Sequence, residues 1–210
     1  MANEKQVLGV LCSGRGTDLQ SIIDAIGRGE VDATIGIVLT DKSDAYALER
    51  AKKAGIKAVC VNRKAYGDRE SFEKVLVQEL HAAGVTLVVL AGFMRILTPY
   101  FVRSFPGHIM NIHPALLPSF PGAHAHRDVL AYGVKVSGCT VHFVDEGTDS
   151  GPIILQRAVP VLDGDTEETL GARVLEQEHI IYPQAVQLFC EGRLQVEGRH
   201  VHILPAQDAK

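Results

Sequence analysis

The chain has 210 residues, of which 46% are hydrophobic and 22% charged, and its formal net charge is −4. This is enough apolar material for one full core, and the mild acidity leaves no broad basic field for nucleic acid. Apolar runs such as Thr86 to Phe93 are far too short to cross a bilayer, so no membrane association is expected.

In chain order, the polar stretch Met1 to Gln6 does not read as a signal peptide and runs directly into a strand over Gln6 to Cys12. Thr17 to Ile26 carries Leu19, Ile22, Ile23 and Ile26 at helical spacing. Thr34 to Leu39 is a second strand, Asp44 to Ala54 a helix ended by Gly55, and Ala58 to Val61 a short strand. Asp68 to Ala83 is helical, and Thr86 to Ala91 is apolar throughout, as for a strand covered on both faces. This alternation predicts an α/β fold, a doubly wound, mostly parallel sheet with right-handed crossovers. Ile109 to Ile112 is a strand, followed by a loop rich in proline (Pro114, Pro118, Pro121) and a helix over Ala125 to Tyr132. Val136 to Val144 and Pro152 to Val161 read as strands that form a hairpin. Asp165 to Phe189 is a long helix with Thr166 as its N-cap and a kink or split at Pro183. Leu194 to Leu204 reads as a terminal hairpin. No linker or repeat interrupts the chain, so residues 1–210 read as a single domain. Cys12, Cys60, Cys139 and Cys190 are scattered without a CxxC pair, which predicts reduced thiols in a cytoplasmic protein.

The richest chemistry lies in Asn111-Ile112-His113-Pro114. On an extended strand, positions i and i+2 share a face, so Asn111 and His113 point into one cavity. Asp149, from the Gly-bounded loop Asp145 to Gly151, can join them. An amide donor, an imidazole and a carboxylate are what acyl transfer needs to stabilise an oxyanion and move a proton. A carboxylate beside His113 favours the imidazolium. His142 shares a strand face with Thr140 and Val144, and reads equally as a pocket residue or a satisfied core histidine. His124-x-His126 has the spacing of strand-borne zinc ligands, but no Cys pair or HExxH accompanies it, and no metal is expected. His200 and His202 read as solvent-facing.

The first strand ends in Ser13-Gly14-Arg15-Gly16-Thr17-Asp18 and opens a helix. Exposed N–H groups and the helix dipole favour a phosphate there. A phosphomonoester is the first reading; a dinucleotide and a purely structural turn are the alternatives, since Leu19 replaces the third Gly of the dinucleotide fingerprint. Asp41, at the end of the second strand, stands where a ribose-binding acid could be. Asp18 would repel a phosphate, so local helix capping is its expected role, with Arg15 offsetting its charge.

The segments SGRGTDLQSII, VVLAGFMRIL, NIHPALLPSFPGAHAHRDVL, GCTVHFVDEGTDSGPIILQ and EQEHIIYP resemble the folate-dependent formyltransferase family, in its phosphoribosylglycinamide branch. The resemblance runs from about residue 7 to residue 204. It implies transfer of a formyl group from 10-formyltetrahydrofolate to the amine of phosphoribosylglycinamide, in purine synthesis, with no metal. It also implies a division of the domain into a phosphoribosyl-binding half (about 6–92), a folate-binding and catalytic half (about 93–190) and a tail (191–210). By resemblance Asn111, His113 and Asp149 are catalytic. Gly16, Thr17 and Asp18, with Leu175, Glu176, Gln177 and Glu178, hold the phosphoribosyl substrate. Arg69, Met94, Arg95, Ile96, Leu97, Asn111, Asp145, Glu146, Gly147, Thr148 and Asp149 hold the folate. The family usually carries Asn where this chain has Asp18.

Three rival functions bear on the same residues. A formyltetrahydrofolate hydrolase shares the His and Asp but follows an extra N-terminal domain, for which a first strand at Gln6 leaves no room. A methionyl-tRNA formyltransferase needs an added C-terminal domain and a basic surface. A nucleotide-sensing module gives no task to Asn111, His113 and Asp149. Small-molecule substrates and a monomer or homodimer are expected.

Overall fold

The computed structural model describes residues 5–206. The first four residues of the polar N-terminal stretch and the last four of the tail lie outside the described residues. The first half holds β1 (Gln6–Cys12), α1 (Thr17–Gly27), β2 (Ala33–Thr40), α2 (Ala47–Lys53), β3 (Ala58–Cys60), α3 (Arg69–Ala82) and β4 (Leu87–Leu90). The second holds α4 (Pro99–Ser104), β5 (Ile109–His113), α5 (Ala125–Tyr132), β6 (Val136–Phe143), β7 (Ile153–Pro160), α6 (Glu167–Cys190), β8 (Leu194–Glu197) and β9 (His200–Ile203).

One seven-stranded sheet has the order β3-β2-β1-β4-β5-β6-β7. The strands from β3 to β5 are parallel. β6 runs antiparallel to both β5 and β7, so the expected hairpin forms and extends a parallel sheet with an antiparallel edge. The chain order reverses between β1 and β4. In open α/β sheets, ligands bind outside the carboxyl ends of the strands at this point. The segments that leave β1 and β4 meet there: Ser13 N–H donates to Gly92 O at 3.0 Å, and Met94 N–H donates to Ser13 Oγ at 2.9 Å.

β4 is buried along its whole length because helices cover both faces of the sheet. Leu19 and Ile22 of α1 pack with Val174, Ile181 and Tyr182 of α6 on one face. Phe72, Leu76 and Leu80 of α3 pack with Phe101 and Phe105 on the other. The fully buried Tyr182 donates its hydroxyl to Leu90 O at 2.8 Å or Met110 O at 3.0 Å, tying α6 to the end of β4 and the first half of β5.

Two helices differ from expectation. α6 is not split at Pro183. The residue lacks one N–H, yet Pro183, Tyr182, Ala185 and Val186 are all buried against the sheet, and that burial outweighs one missing bond. Its start is as expected, with Thr166 and Thr169 exchanging side-chain-to-backbone bonds. α4 escapes periodicity because it has six residues. Pro99 occupies its first turn, and the buried Glu73 of α3 accepts bonds from Thr98 N–H at 2.9 Å and from the Thr98 hydroxyl.

Candidate active site

β5 and β6 present the chemistry. Asn111 lies directly across the ladder from His142, and His113 from Thr140. Cross-strand neighbours share a face, so one surface carries Asn111, His113 and His142. His142 Nδ1 is 2.8 Å from Phe143 O and donates its proton there. Burial lowers the pKa of His142 from its ordinary value, which favours the neutral ring. Nε2 is then an acceptor, 3.2 Å from Asn111 Nδ2. One amide N–H of Asn111 is thereby fixed, and the second is free to serve an oxyanion.

The buried His113 is held from both sides. Nε2 donates to Phe120 O at 2.8 Å, and Nδ1 lies 3.4 Å from Asp149 Oδ2. Asp149 Oδ1 is 3.8 Å from His142 Nε2, and Asp149 Oδ2 accepts from Gly122 N–H at 2.8 Å. Phe120 and Asp149, with φ of 54° and 50°, are the non-glycine residues at positive φ among the described residues. Both touch the His113 ring. Such conformations cost about 1–3 kcal/mol each and cluster where geometry is imposed by function. The proline-rich loop is fixed from below: the Thr140 hydroxyl donates to Ala115 O at 2.7 Å and accepts from Leu117 N–H at 3.0 Å.

A cavity of about 270 Å³ opens over this face. Asn111, His113, His142 and Asp149 form its floor, the 92–97 segment one wall, and Asp145, Gly147 and Thr148 the other. Met94 and Ile96 are 71% and 58% exposed, so they form an apolar rim rather than ordinary core. Asp145 Oδ1 accepts from Gly147 N–H at 3.0 Å and from Ser150 Oγ at 2.6 Å, which closes the 145–150 loop on itself. Arg199, at the β8–β9 turn, donates to Ser150 O at 2.9 Å and braces the loop from outside.

The structure brings most of the residues expected for folate together: Met94, Arg95, Ile96, Leu97, Asn111, Asp145, Gly147, Thr148 and Asp149 line the cavity. Glu146 and Arg69 do not line it. Glu146 pairs with Arg103 at 2.7 Å, and Arg69 is exposed on the first turn of α3. Asp41 is committed elsewhere. Its buried carboxylate receives Arg95 Nε at 2.6 Å, which leaves it unsuited to a ribose and makes it an anchor for the 92–97 wall.

The Gly-rich turn stands beside this cavity. Gly16 caps α1 in the left-handed region at φ 67° with no side-chain cap bond, and a Cβ there would come 2.8 Å from Ala47 Cβ. Only glycine fits both constraints. Arg50 Nε donates to Arg15 O at 2.8 Å and steadies the turn. Asp18 does not cap the helix: Oδ1 is buried without a hydrogen-bond partner, and the exposed Arg15 is not its ion-pair partner. The basic side chain within reach of it is His179, with Nε2 at 3.8 Å; burial lowers its pKa and favours the neutral ring. On α6, Glu178 is buried while Glu176 faces solvent and Leu175 and Gln177 are half-buried.

The His124-x-His126 pair is not strand-borne. His124 is the N-cap of α5 and His126 lies inside it, so residues two apart diverge around the helix axis. Among the described residues no group of three His, Cys, Asp or Glu side chains is placed to hold a metal ion. The four cysteines are unpaired, and no described helix is long and apolar enough to cross a membrane. His200 and His202 are exposed. Sequence reasoning left His142 undecided and missed Phe120 and Gly122. The i, i+2 spacing of Thr140 and His142 was the available signal for the first; nothing local marks the other two.

Known proteins resemble the chain along most of its length. The family model described as Formyl transferase matches residues 6–186. Phosphoribosylglycinamide formyltransferase of Escherichia coli (strain K12) is 46% identical over 187 residues, 89% of this chain and 88% of that protein. The protein of the same name from Haemophilus influenzae is 43% identical over 196 residues, 93% of this chain and 92% of that one. The crystal structure of glycinamide ribonucleotide transformylase 1 from Symbiobacterium toebii is 50% identical, with a TM-score of 0.95 over 98% of this chain and 100% of that one. The chain belongs to the formyl transferase family.

Proposed function

We propose that the protein transfers the formyl group of 10-formyltetrahydrofolate to the amino group of 5-phosphoribosylglycinamide, a step of purine synthesis. The observation that carries this reading is the convergence of Asn111, His113 and Asp149 on one cavity beside the Gly-rich turn. The relatives named above carry that activity in their names.

The residues suit each step. The amine nitrogen attacks the formyl carbon and the carbonyl electrons move to oxygen. The free amide N–H of Asn111 donates to that oxyanion, a contact worth about 3 kcal/mol of barrier in comparable sites. With Nε2–H committed to Phe120 O, Nδ1 of His113 faces the Asp149 carboxylate. A proton there replaces a repulsive lone-pair contact with a charge-assisted hydrogen bond. The attacking amine loses a proton, the bond from carbon to the folate nitrogen breaks, and that nitrogen gains a proton; His113 and Asp149 carry the transfer, directly or through water.

The apolar rim of Met94 and Ile96 suits a flat aromatic ring, with Arg95, Leu97 and the 145–149 loop around it, and Arg69 and Glu146 as outer contacts. Gly16, Thr17 and Asp18, with Leu175, Glu176, Gln177 and Glu178, are assigned to the phosphoribosyl substrate. Residues 6–92 thus serve that substrate, residues 93–190 the folate and the chemistry, and residues 191–210 the tail. Unpaired thiols suit a reducing compartment, so we place the protein in the cytoplasm, as a monomer or homodimer acting on small molecules rather than nucleic acid.

The test is a spectrophotometric assay of tetrahydrofolate release from 10-formyltetrahydrofolate, with and without the ribonucleotide. Release only with the ribonucleotide is expected. Release without it points to a hydrolase, and no release despite folate binding points to a binding module.

A further inference from the structure

We propose that Arg103 and Arg199 hold the loop that carries Asp149 from opposite layers of the molecule and so set the geometry of the proton transfer; both are positioning residues. The inference rests on the reading above, because it concerns how that loop serves the same reaction.

The loop is a compact knot on a narrow base. The base closes where Phe143 N–H donates to Pro152 O at 2.9 Å. Inside it, Asp145 Oδ1 gathers Gly147 N–H and Ser150 Oγ, so residues 145–150 keep their own shape. A Cβ on Gly147 would strike Ser150 Oγ, and one on Gly151 would strike Phe143 O. A knot of this kind shifts as a body. Its internal bonds do not decide where Asp149 stands over the cavity.

Bonds to the rest of the protein decide that. On the cavity side, Asp149 Oδ2 accepts from Gly122 N–H at 2.8 Å and lies 3.4 Å from His113 Nδ1. Outside the cavity, the knot is gripped twice. Arg103 of α4 meets the Glu146 carboxylate with two donors, Nε at 2.7 Å and Nη2 at 3.1 Å. Arg199, at the β8–β9 turn, donates Nη2 to Ser150 O at 2.9 Å. None of these four residues lines the cavity. The arms come from different layers: Phe101 and Phe105 of α4 pack with α3 on one face of the sheet, whereas Leu194 and Val201 of the hairpin pack with the core on the other. β8 and β9 are exposed along most of their length, so the hairpin adds little to that core.

The grips fall on either side of Asp149 in sequence, at residues 146 and 150. Two attachments resist a rotation of the knot that one would permit, and the forked contact of Arg103 fixes direction as well as distance. Asp149 sits at φ 50°, and a residue in that region persists where its surroundings over-determine it. The Arg103 and Glu146 side chains are 72% and 46% exposed, so this arm shifts the docking of the loop by only about two- to fivefold. Its larger effect is geometric, since a misplacement of about 1 Å at a catalytic group costs up to about 100-fold in rate.

The test uses Arg103→Ala, Arg199→Ala and the double variant. Amide hydrogen exchange is read by NMR in the ligand-free protein at Gly122, whose N–H binds Asp149. Exchange there should quicken about two- to fivefold in each single variant and about tenfold in the double, because the arms share no partner. The amides of Val88 and Val89 in β4 serve as the control and should not change. Single-turnover formyl transfer should slow about three- to tenfold in each single variant, with KM for the ribonucleotide changed by less than about twofold. Exchanging the charges, Arg103→Glu with Glu146→Arg, should return the Gly122 exchange toward the wild-type rate where Arg103→Glu alone does not. Unchanged exchange at Gly122 in the double variant, or no recovery on exchanging the charges, overturns the proposal. Faster exchange with an unchanged single-turnover rate overturns the catalytic role of the arms. Absence of formyl transfer in the wild type overturns the functional reading instead, and leaves the exchange rates to judge whether the arms hold the loop.

Discussion

Asn111 Nδ2 lies 3.2 Å from His142 Nε2, directly across the β5–β6 ladder. The contact fixes which end of the Asn111 amide faces the cavity, because the buried ring of His142 offers only an acceptor there. His142 also stands 3.8 Å from Asp149. It is a positioning residue: it orients two groups that touch the reacting atoms. His142→Phe keeps a ring in the slot and removes the acceptor. We expect kcat to fall about 10- to 100-fold with KM changed by less than about threefold, since misplacing an oxyanion donor costs barrier height rather than ground-state binding. Steady-state kinetics on a variant of unchanged far-UV circular dichroism checks this, and an unchanged kcat removes the role.

Asp149→Asn tests the proton pathway. The isosteric amide keeps the bulk of the side chain at φ 50°, a region that Asn tolerates as well as Asp does. It withdraws the charge facing His113 Nδ1. A loss of about 10²- to 10⁴-fold in kcat is expected, with the melting temperature nearly unchanged. Near-normal turnover in the folded variant would sink the assignment.

What the sequence disclosed, and what it hid, follow from the range of the forces involved. The strands from β1 to β5, the helices between β1 and β4, and α5 were legible because their periodicity is local: Gln6–Cys12 and Ala125–Tyr132 match expectation to the residue. Asn111 and His113 were legible for the same reason, being two residues apart on one strand. Asp41 misled, since a carboxylate at the end of a second strand looks free until Arg95, 54 residues later, is seen to occupy it. Asp18 misled in the opposite way. Its neighbours in sequence suggested a cap offset by Arg15, whereas the side chain that reaches it in space is His179, far along the chain on α6. Phe120 O and Gly122 N, which hold His113 and Asp149, are backbone groups that any residue could supply.

The Asp41–Arg95 pair predicts a stability effect with a functional signature. Asp41 has 1% of its side chain exposed, so Arg95→Ala leaves an enclosed charge without its partner. Because Arg95 is 36% exposed, water replaces part of its contact and the cost is about 1–3 kcal/mol. The same change frees the wall made by residues 92–97, so KM for the folate should rise more than KM for the ribonucleotide. Urea unfolding and the two KM values check this. Pairing the change with Asp41→Asn should recover much of the stability, because the stranded charge is gone, and leave the folate KM high.

Gly16→Ala probes the turn. The new Cβ meets Ala47 at 2.8 Å, in a backbone conformation that costs alanine about 1–2 kcal/mol. Relief requires the turn to move off Ala47, which shifts the N–H groups of Thr17 and Asp18. Stability should fall by about 1–3 kcal/mol, with weaker affinity for ribose 5-phosphate and unchanged affinity for folate. Equal weakening of both ligands would show that the turn is structural.

The buried carboxyl groups of Asp18 and Glu178 set how stability responds to alkali. In the unfolded chain Asp and Glu titrate near 4; in the folded protein burial raises Asp18 to about 7 and Glu178 to about 8. The folded state therefore binds more protons than the unfolded state throughout this interval, and the unfolding free energy falls as pH rises. The stabilising proton is fully present below about pH 4 and is lost as pH passes through the folded-state values. The buried His142 and the half-buried His126 and His179 act in the reverse sense because desolvation lowers them, but only while unfolded histidine is protonated, below about pH 6.5. Above that value they are neutral in both states and the buried carboxyl groups dominate. Glu73 is raised by burial as well and acts in the same sense. Urea unfolding at about pH 6.5, 7.5 and 8.5 should thus show a wild-type stability that declines by on the order of a few kcal/mol. Asp18→Asn should be the more stable protein at the alkaline end and should lose the part of the decline that Asp18 contributes, while Glu178, raised chiefly by burial, keeps the rest. A slope identical to that of the wild type would mean that burial does not raise Asp18.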